Sequence, residues 1–244
     1  MQIIKLDAID STNVYLKDLV FNTQASDYTI VVAEKQTRGR GQMGTTWLAD
    51  EGKNLTFSIL KKCTDLSVQK QFDLNICVSV AIYRSLNDLK IPDLKIKWPN
   101  DILSGNHKIC GVLIENILSG AKIQASIIGI GLNVNQLSFN NLPNVSSLKL
   151  ITGIQYDLEE LLKKIAKNLE EVFDYYFTIH KQDLKIEYLE QLFRKDKAST
   201  FSKDANGTMF TGIIRNVTSE GKLVVEEEDE IFNEYALKEL KLRY

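Results

Sequence analysis

Histidine is almost missing from this chain: 244 residues hold only His107 and His180. A histidine-built metal centre or a Ser-His-Asp relay is nearly excluded by that count. Cysteine is scarce and odd in number, with Cys63, Cys77 and Cys110 at no paired spacing. A disulfide framework or a zinc site is therefore not expected, and a reducing cytoplasm is the default compartment. Neither sign of charge dominates: 30 basic against 32 acidic residues leave a net charge of −2, so no basic field advertises nucleic acid. There is no Arg-rich leader, no signal peptide and no apolar run long enough to span a bilayer, so no membrane partner is expected. The three prolines, Pro92, Pro99 and Pro143, act as breakers rather than as a linker composition.

What is present is 44% hydrophobic and 25% charged, an ordinary globular balance. The length allows one large domain, or one large and one small, with ample core. The chain reads as α+β, with a mixed, largely antiparallel sheet and packed helices. Gln2–Leu6 is a short strand, and Asp10-Ser-Thr-Asn13 carries N-cap residues ahead of a helix. Tyr28–Ala33 and Asn54–Leu60 read as strands, the second ending in a polar turn near Thr64-Asp65. Phe72, Ile76, Val80 and Tyr83 fall on one face of a helix over residues 71–89, with Cys77 beside them as core filler. Leu94–Leu103 is a strand broken by Pro99, and residues 107–118 and 122–134 are longer strands. Gly129 and Gly131 inside the last suggest a bulge or a close ligand approach. Residues 136–150 form a loop. Asp157-Leu-Glu-Glu160 resembles a capping box before a strongly amphipathic helix that reaches Tyr176, and a shorter helix follows near residues 183–193. Composition shifts near residue 195. Beyond it, stretches 208–216, 221–226 and 231–242 read as a small β-barrel, with acidic Glu226–Glu230 at a solvated tip. The expected division is 1–195 and 196–244.

The most informative stretch is Gln36-Thr-Arg-Gly-Arg-Gly-Gln-Met-Gly-Thr-Thr-Trp47. Glycines let backbone N–H groups approach an anion, and arginine supplies a fork of donors for phosphate or carboxylate. Gly39-x-Gly41-x-x-Gly44 also satisfies the dinucleotide fingerprint, but its strand–loop–strand setting lacks the helix that fingerprint needs. Three further polar or glycine-rich segments interrupt the apolar strands: Ser11–Asn13, Lys97–Asp101 with Lys108, and Gly129–Asn133. Together they offer cations (Arg40, Lys108), a carboxylate suited to Mg²⁺ (Asp101), amides (Asn100, Asn133) and a stacking face (Trp47). No histidine base or obvious nucleophile accompanies them. That set suits phosphoryl or nucleotidyl transfer, in which the protein positions groups and stabilises charge.

In this order the segments resemble those of the biotin protein ligases. Asp10-Ser-Thr-Asn13 matches their opening motif, and Gly39-Arg-Gly-Gln-Met-Gly-Thr-Thr-Trp47 is similar to their Gly-Arg-Gly-Arg-x-Gly-Arg-x-Trp loop. Lys97-Trp-Pro-Asn-Asp101, Lys108-Ile-Cys-Gly-Val-Leu-Ile-Glu115 and Gly129-Ile-Gly-Leu-Asn133 match the three segments that follow. The C-terminal part is similar to the SH3-like barrel that closes these enzymes. The resemblance implies activation of biotin by ATP to biotinyl-5′-AMP, then transfer to a lysine of the biotin carboxyl carrier protein. It implies biotin contacts from Ser11, Thr12, Asn13, Gln36, Gly39, Arg40, Gly41, Gln42, Lys108 and Gly111. It implies nucleotide contacts from Arg40, Trp47, Asn100, Asp101, Lys108 and Asn133, with Mg²⁺ at Asp101 and Lys108 and Arg40 as the catalytic cations. Lys97 is expected to be an ordinary strand lysine, Trp98 core, and Glu115 structural.

Two features depart from the pattern. Gln42 and Thr45 stand where many family members have arginine, so a looser hold on the adenylate is expected. About nine residues precede Asp10, so no DNA-binding module and no repressor function is expected. A lipoate ligase or octanoyl transferase of the same core, and a non-catalytic biotin sensor, are the competing readings. The lipoate ligase loop Arg-Arg-x-Ser-Gly-Gly-Gly is not found here. A monomer and a homodimer are both compatible with the sequence.

Overall fold

The computed structural model describes residues 1–139, 142–178, 181–203 and 207–244. His180 lies outside them. A seven-stranded sheet has the order β1-β2-β3-β7-β6-β5-β4. Its strands are β1 (Ile3–Ile9), β2 (Ile30–Gln36), β3 (Leu55–Ser67), β4 (Leu94–Lys97), β5 (Asp101–Ser104), β6 (His107–Ser119) and β7 (Lys122–Leu132). Only β1 and β2 pair in parallel, which follows from the helix α1 (Thr12–Asn22) that joins them. β3 runs to Ser67 without turning at Thr64-Asp65, because its far end continues to pair with the start of β7.

One face of this sheet is buried under α2 (Phe72–Asp88), α4 (Leu158–Thr178) and α5 (Lys181–Glu190). The amphipathic stripe expected for α4 holds: Leu161, Leu162, Ile165, Leu169, Val172, Phe173 and Tyr176 are all buried. The single stripe expected for α2 does not. Leu74, Val78, Ile82 and Leu86 are buried as well as Ile76 and Val80, because α4 and α5 cover the side of α2 that faces away from the sheet. Tyr83 is only half-buried. Asp157 caps α4 as its sequence predicts, accepting from Glu160 N at 2.9 Å. The loop expected over residues 136–150 contains the start of a short helix, α3 (Leu148–Thr152), capped by Ser147 and ended by Gly153 in the left-handed region.

The C-terminal residues form a second, five-stranded antiparallel sheet in the order β11-β10-β9-β8-β12. The strands are β8 (Ala198–Lys203), β9 (Met209–Val217), β10 (Leu223–Glu226), β11 (Phe232–Tyr235) and β12 (Leu240–Arg243). The stretch read as one strand over 231–242 is two, separated by a turn in which Ala236 N donates to Glu239 Oε2 at 2.7 Å. The acidic run divides: Glu226 accepts from Arg215 Nε at 2.5 Å and Glu227 from Asn233 Nδ2 at 2.9 Å, so only residues 228–230 form a free tip.

The β9–β10 turn docks this sheet on the first. Gly221 O accepts from Trp98 Nε1 at 2.8 Å, and a Cβ on Gly221 would lie 2.4 Å from Phe72 Cδ2. Gly221 also has φ +92°, which L side chains rarely adopt. Gly221→Ala is therefore expected to cost more than ~1 kcal/mol in a urea titration. Gly120→Ala, also at positive φ but with open space around it, is the control and costs less. Equal midpoints for the two variants would contradict this docking account.

Candidate functional site

Antiparallel register places four residues in a row across one face of the large sheet. Asp101 on β5 pairs with Gly111 on β6, Gly111 with Gly131 on β7, and Gly131 with Thr56 on β3. Two residues along, Leu113, Gly129 and Ser58 form the next row. Glycine three times over removes the side chains that would fill this face and leaves a trench. Incoming groups use the space: a Cβ on Gly131 would meet the Trp47 ring at 2.3 Å, and one on Gly129 would meet Asn13 Oδ1 at 2.4 Å. Pairing runs unbroken through both glycines, so the bulge reading fails, and what approaches them here is the Trp47 ring and the Asn13 side chain.

A bulge does occur one strand over. Ile102 pairs with Cys110 but Leu103 pairs with Lys108, so β6 carries one extra residue, Ile109, at this point. Ile109 and Cys110 are consecutive yet both sit in the core on the helix side. The extra residue turns Lys108 back onto the trench side. There Lys108 Nζ lies 2.7 Å from Asp101 Oδ1 and 5.7 Å from the centre of a Trp47 ring. Asn100 is locked beside them by donating Nδ2 to Val112 O at 2.6 Å.

The N-terminus of α1 closes one end of the trench. Ser11 occupies the N-cap position, yet its side chain makes no capping bond. The cap comes from elsewhere: Gln36 Oε1 accepts from Thr12 N at 2.8 Å and from Thr12 Oγ1 at 3.1 Å. Ser58 Oγ reaches Thr12 Oγ1 at 2.7 Å and donates to Asn13 Oδ1 at 2.6 Å. Asn13 Nδ2 donates to Glu115 Oε2 at 2.8 Å. These buried polar groups hold one another in fixed orientations.

The glycine loop covers the trench as a small hairpin. Trp47 N donates to Gly39 O at 3.0 Å and Gly41 N to Thr45 O at 2.7 Å. Its tip, Gln42–Gly44, is a single 3-10 turn with Met43 at φ 54°, and no α-helix begins there, so the dinucleotide fingerprint fails as expected. Thr45 Oγ1 is spent on Gln42 O at 2.8 Å, inside the loop. Trp47 Nε1 is buried and meets no acceptor among the described residues.

The resulting cavity measures about 280 Å³. It gathers Ser11, Thr12, Asn13, Gln36, Arg40, Gly41, Gln42, Trp47, Asn100, Asp101, Lys108 and Gly111 from the residues singled out by sequence. Gly39 and Asn133 are not in its wall. Gly39 instead lines a second cavity, between the loop and Leu113 and Glu115 of β6. Asn133 is 2% exposed and donates Nδ2 to Ser146 O at 3.0 Å, while its Oδ1 meets no donor among the described residues. Sequence reasoning missed Thr56, Ser58 and Lys238. Nothing local marks a strand Ser or Thr as a site residue, and Leu237 and Lys238 reach the wall only because the β11–β12 turn folds back from the second sheet. Among the described residues the wall thus carries three cations, Arg40, Lys108 and Lys238, against a single carboxylate, Asp101. Lys97 lies outside it, with Nζ 4.9 Å from the Tyr244 ring. Burial pushes the Cys110 thiol well above its usual range, and Cys63 and Cys77 are raised for the same reason. None of the three presents a thiolate.

Comparison with known proteins gives a consistent picture. The family model described as biotin/lipoate A/B protein ligase family matches residues 6–133. The chain is 30% identical over 235 residues to the bifunctional ligase/repressor BirA of Bacillus subtilis, covering 94% of this chain and 71% of that one. It is 33% identical over 127 residues to the biotin–[acetyl-CoA-carboxylase] ligase of Paracoccus denitrificans, 51% of each. The solved structure of the biotin protein ligase from Aquifex aeolicus in complex with biotin and ATP superposes with a TM-score of 0.80 at 27% identity, covering 99% of this chain and 98% of that one.

The packing of Trp47 on glycine gives a test independent of any ligand. Gly131→Ala should expel the indole from the trench and red-shift the emission of a protein that has only two tryptophans. An unchanged spectrum would contradict the placement of Trp47.

Proposed function

Since the chain belongs to the biotin/lipoate A/B protein ligase family, we propose that it is a biotin ligase which forms biotinyl-5′-AMP from biotin and ATP and passes the biotinyl group to a lysine of a biotin carboxyl carrier protein. The observation that carries this reading is the trench: a glycine floor, a polar helix end at one side and two cations, Lys108 and Arg40, beside a lone carboxylate.

The chemistry follows from charge. The first step joins a carboxylate to the α-phosphate of a triphosphate, and two unit anions 4 Å apart repel by about 4 kcal/mol at an effective dielectric of 20. Lys108 and Arg40 flank the place where they meet and offset that repulsion, most strongly in the transition state, where negative charge concentrates. The carboxylate oxygen attacks phosphorus and pyrophosphate leaves. In the second step the carrier's lysine amine attacks the anhydride carbonyl and AMP leaves. Both nucleophiles belong to substrates, which agrees with a site that offers no thiolate. Ser11, Thr12, Asn13 and Gln36 form the end suited to the uncharged ring of biotin, and Gly111 lets the chain of biotin lie on the sheet. Gly39, Gly41 and Gln42 supply backbone and amide contacts from the loop. Asn100 stands beside the phosphates, and the indole of Trp47 offers a stacking face for adenine. Asn133, with its free Oδ1, is assigned to the adenine side behind it.

Among the described residues Asp101 is the only carboxylate in the wall, and no cluster of three or more acidic, His or Cys side chains could cage a metal. Mg²⁺ therefore fits as part of the incoming nucleotide, held chiefly by phosphates, with Asp101 as its one protein ligand. A domain boundary near residue 195 and a cytoplasmic setting belong to the same proposal. The three buried free thiols agree with a reducing compartment, and the net charge of −2 supports a ligase rather than a DNA-binding role for these residues.

The test is mass spectrometry of a biotin carboxyl carrier domain incubated with the protein, ATP, Mg²⁺ and biotin. One biotinyl adduct on one lysine is expected, and Lys108→Ala should lower its rate at least ~100-fold. No adduct with the unaltered protein, or an undiminished rate with the variant, would overturn the reading.

A further inference from the structure

Glu115 lies just outside the cavity and touches both halves of it. One carboxylate oxygen, Oε2, accepts from Asn13 Nδ2 at 2.8 Å, at the helix end of the trench. The other, Oε1, lies 3.7 Å from Arg40 NH1, on the covering loop. The Asn13 amide has no choice of orientation: Oδ1 takes the Ser58 hydroxyl at 2.6 Å, so Nδ2 must face Glu115. The base of the loop is fixed separately. Thr37 N donates to Ile9 O, and Arg38 N to Asp10 O, each at 2.9 Å. Beyond that base the loop bonds mainly to itself, and a second cavity of about 450 Å³ separates it from Leu113 and Glu115 on β6. The Arg40–Glu115 pair spans this space. Glu115 is half-buried, at 27% side-chain exposure, while Arg40 is 55% exposed. The carboxylate is thus the fixed partner and the guanidinium the movable one.

We propose that Glu115 is a positioning residue that couples recognition of the uncharged ring of the acid substrate at Asn13 to the anion-binding state of Arg40. This rests on the reading given above. Without ligand, Glu115 divides its charge between an amide and a guanidinium. An anion arriving between Arg40 and Lys108 draws Arg40 away across the second cavity. Glu115 then places its full charge on Asn13 Nδ2, which polarises the amide and makes Oδ1 a stronger acceptor for a ring N–H. By linkage, a ligand held at Asn13 favours the release of Arg40 by the same factor. The helix end and the loop therefore fill cooperatively, although no ligand atom bridges them through Glu115.

The test is calorimetric titration of biotin into the whole protein, with and without saturating α,β-methylene-ATP and Mg²⁺. The unaltered protein should bind biotin more tightly with the nucleotide analogue, by a factor in the roughly 5- to 150-fold range of such couplings. In Glu115→Gln, whose side-chain oxygen can still accept from Asn13 but whose charge is gone, that factor should fall below about twofold. Glu115→Asp keeps the charge and should retain a larger factor than Glu115→Gln. An unchanged factor in Glu115→Gln, or none in the unaltered protein, would overturn the coupling. A protein that binds no biotin under either condition would instead overturn the functional reading beneath it.

Discussion

Lys108 sits 2.7 Å from Asp101 because β6 holds one residue more than the strand beside it. Without that extra residue, Lys108 would share a face with Cys110 and point into the apolar core under α2. A lysine there would be charged without a partner, at a cost of several kcal/mol, and the trench would have no cation on its floor. The bulge therefore decides which side of the sheet does chemistry. The rest of the site is arranged to meet it: glycines clear the floor, the loop brings Arg40 and Trp47 over it, and the capped end of α1 closes one side.

Much of this was legible in residue order, though not always for the right reason. The stripe on α4 and the strands on either side of Gly120 follow directly from periodicity and turn residues. So do the four polar interruptions, because a polar or glycine-rich break in an apolar strand conflicts with its surroundings unless a site needs it. Gly129 and Gly131 were ambiguous between a kink and a close approach, and only pairing register separates those readings. Asp10–Asn13 had the composition of a self-capped helix. The cap instead comes from Gln36, a partner 24 residues away from Thr12, which no local rule finds. Glu115 looked structural and is so in that it holds Asn13, but its second oxygen faces the loop.

What stayed hidden depends on the packing of one sheet against the other. α2 read as one-sided because its outer neighbours, α4 and α5, come about a hundred residues later in the chain. The turn carrying Leu237 and Lys238 is likewise invisible as part of the site until Trp98 and Phe72 seat the second sheet on the first. Lys238 also bears on the missing loop arginines. Gln42 brings no charge to the wall, and Thr45 serves only the internal turn of the loop. A third cation therefore reaches the cavity from a different part of the fold.

The proposed function requires that this trench join a carboxylate to the α-phosphate of ATP and select biotin as that carboxylate. Isotope exchange between pyrophosphate and ATP measures that step alone, before any acceptor protein is involved. The expected result is exchange that requires biotin and that lipoate or octanoate does not support. Exchange driven equally by lipoate, or none with biotin, would contradict it.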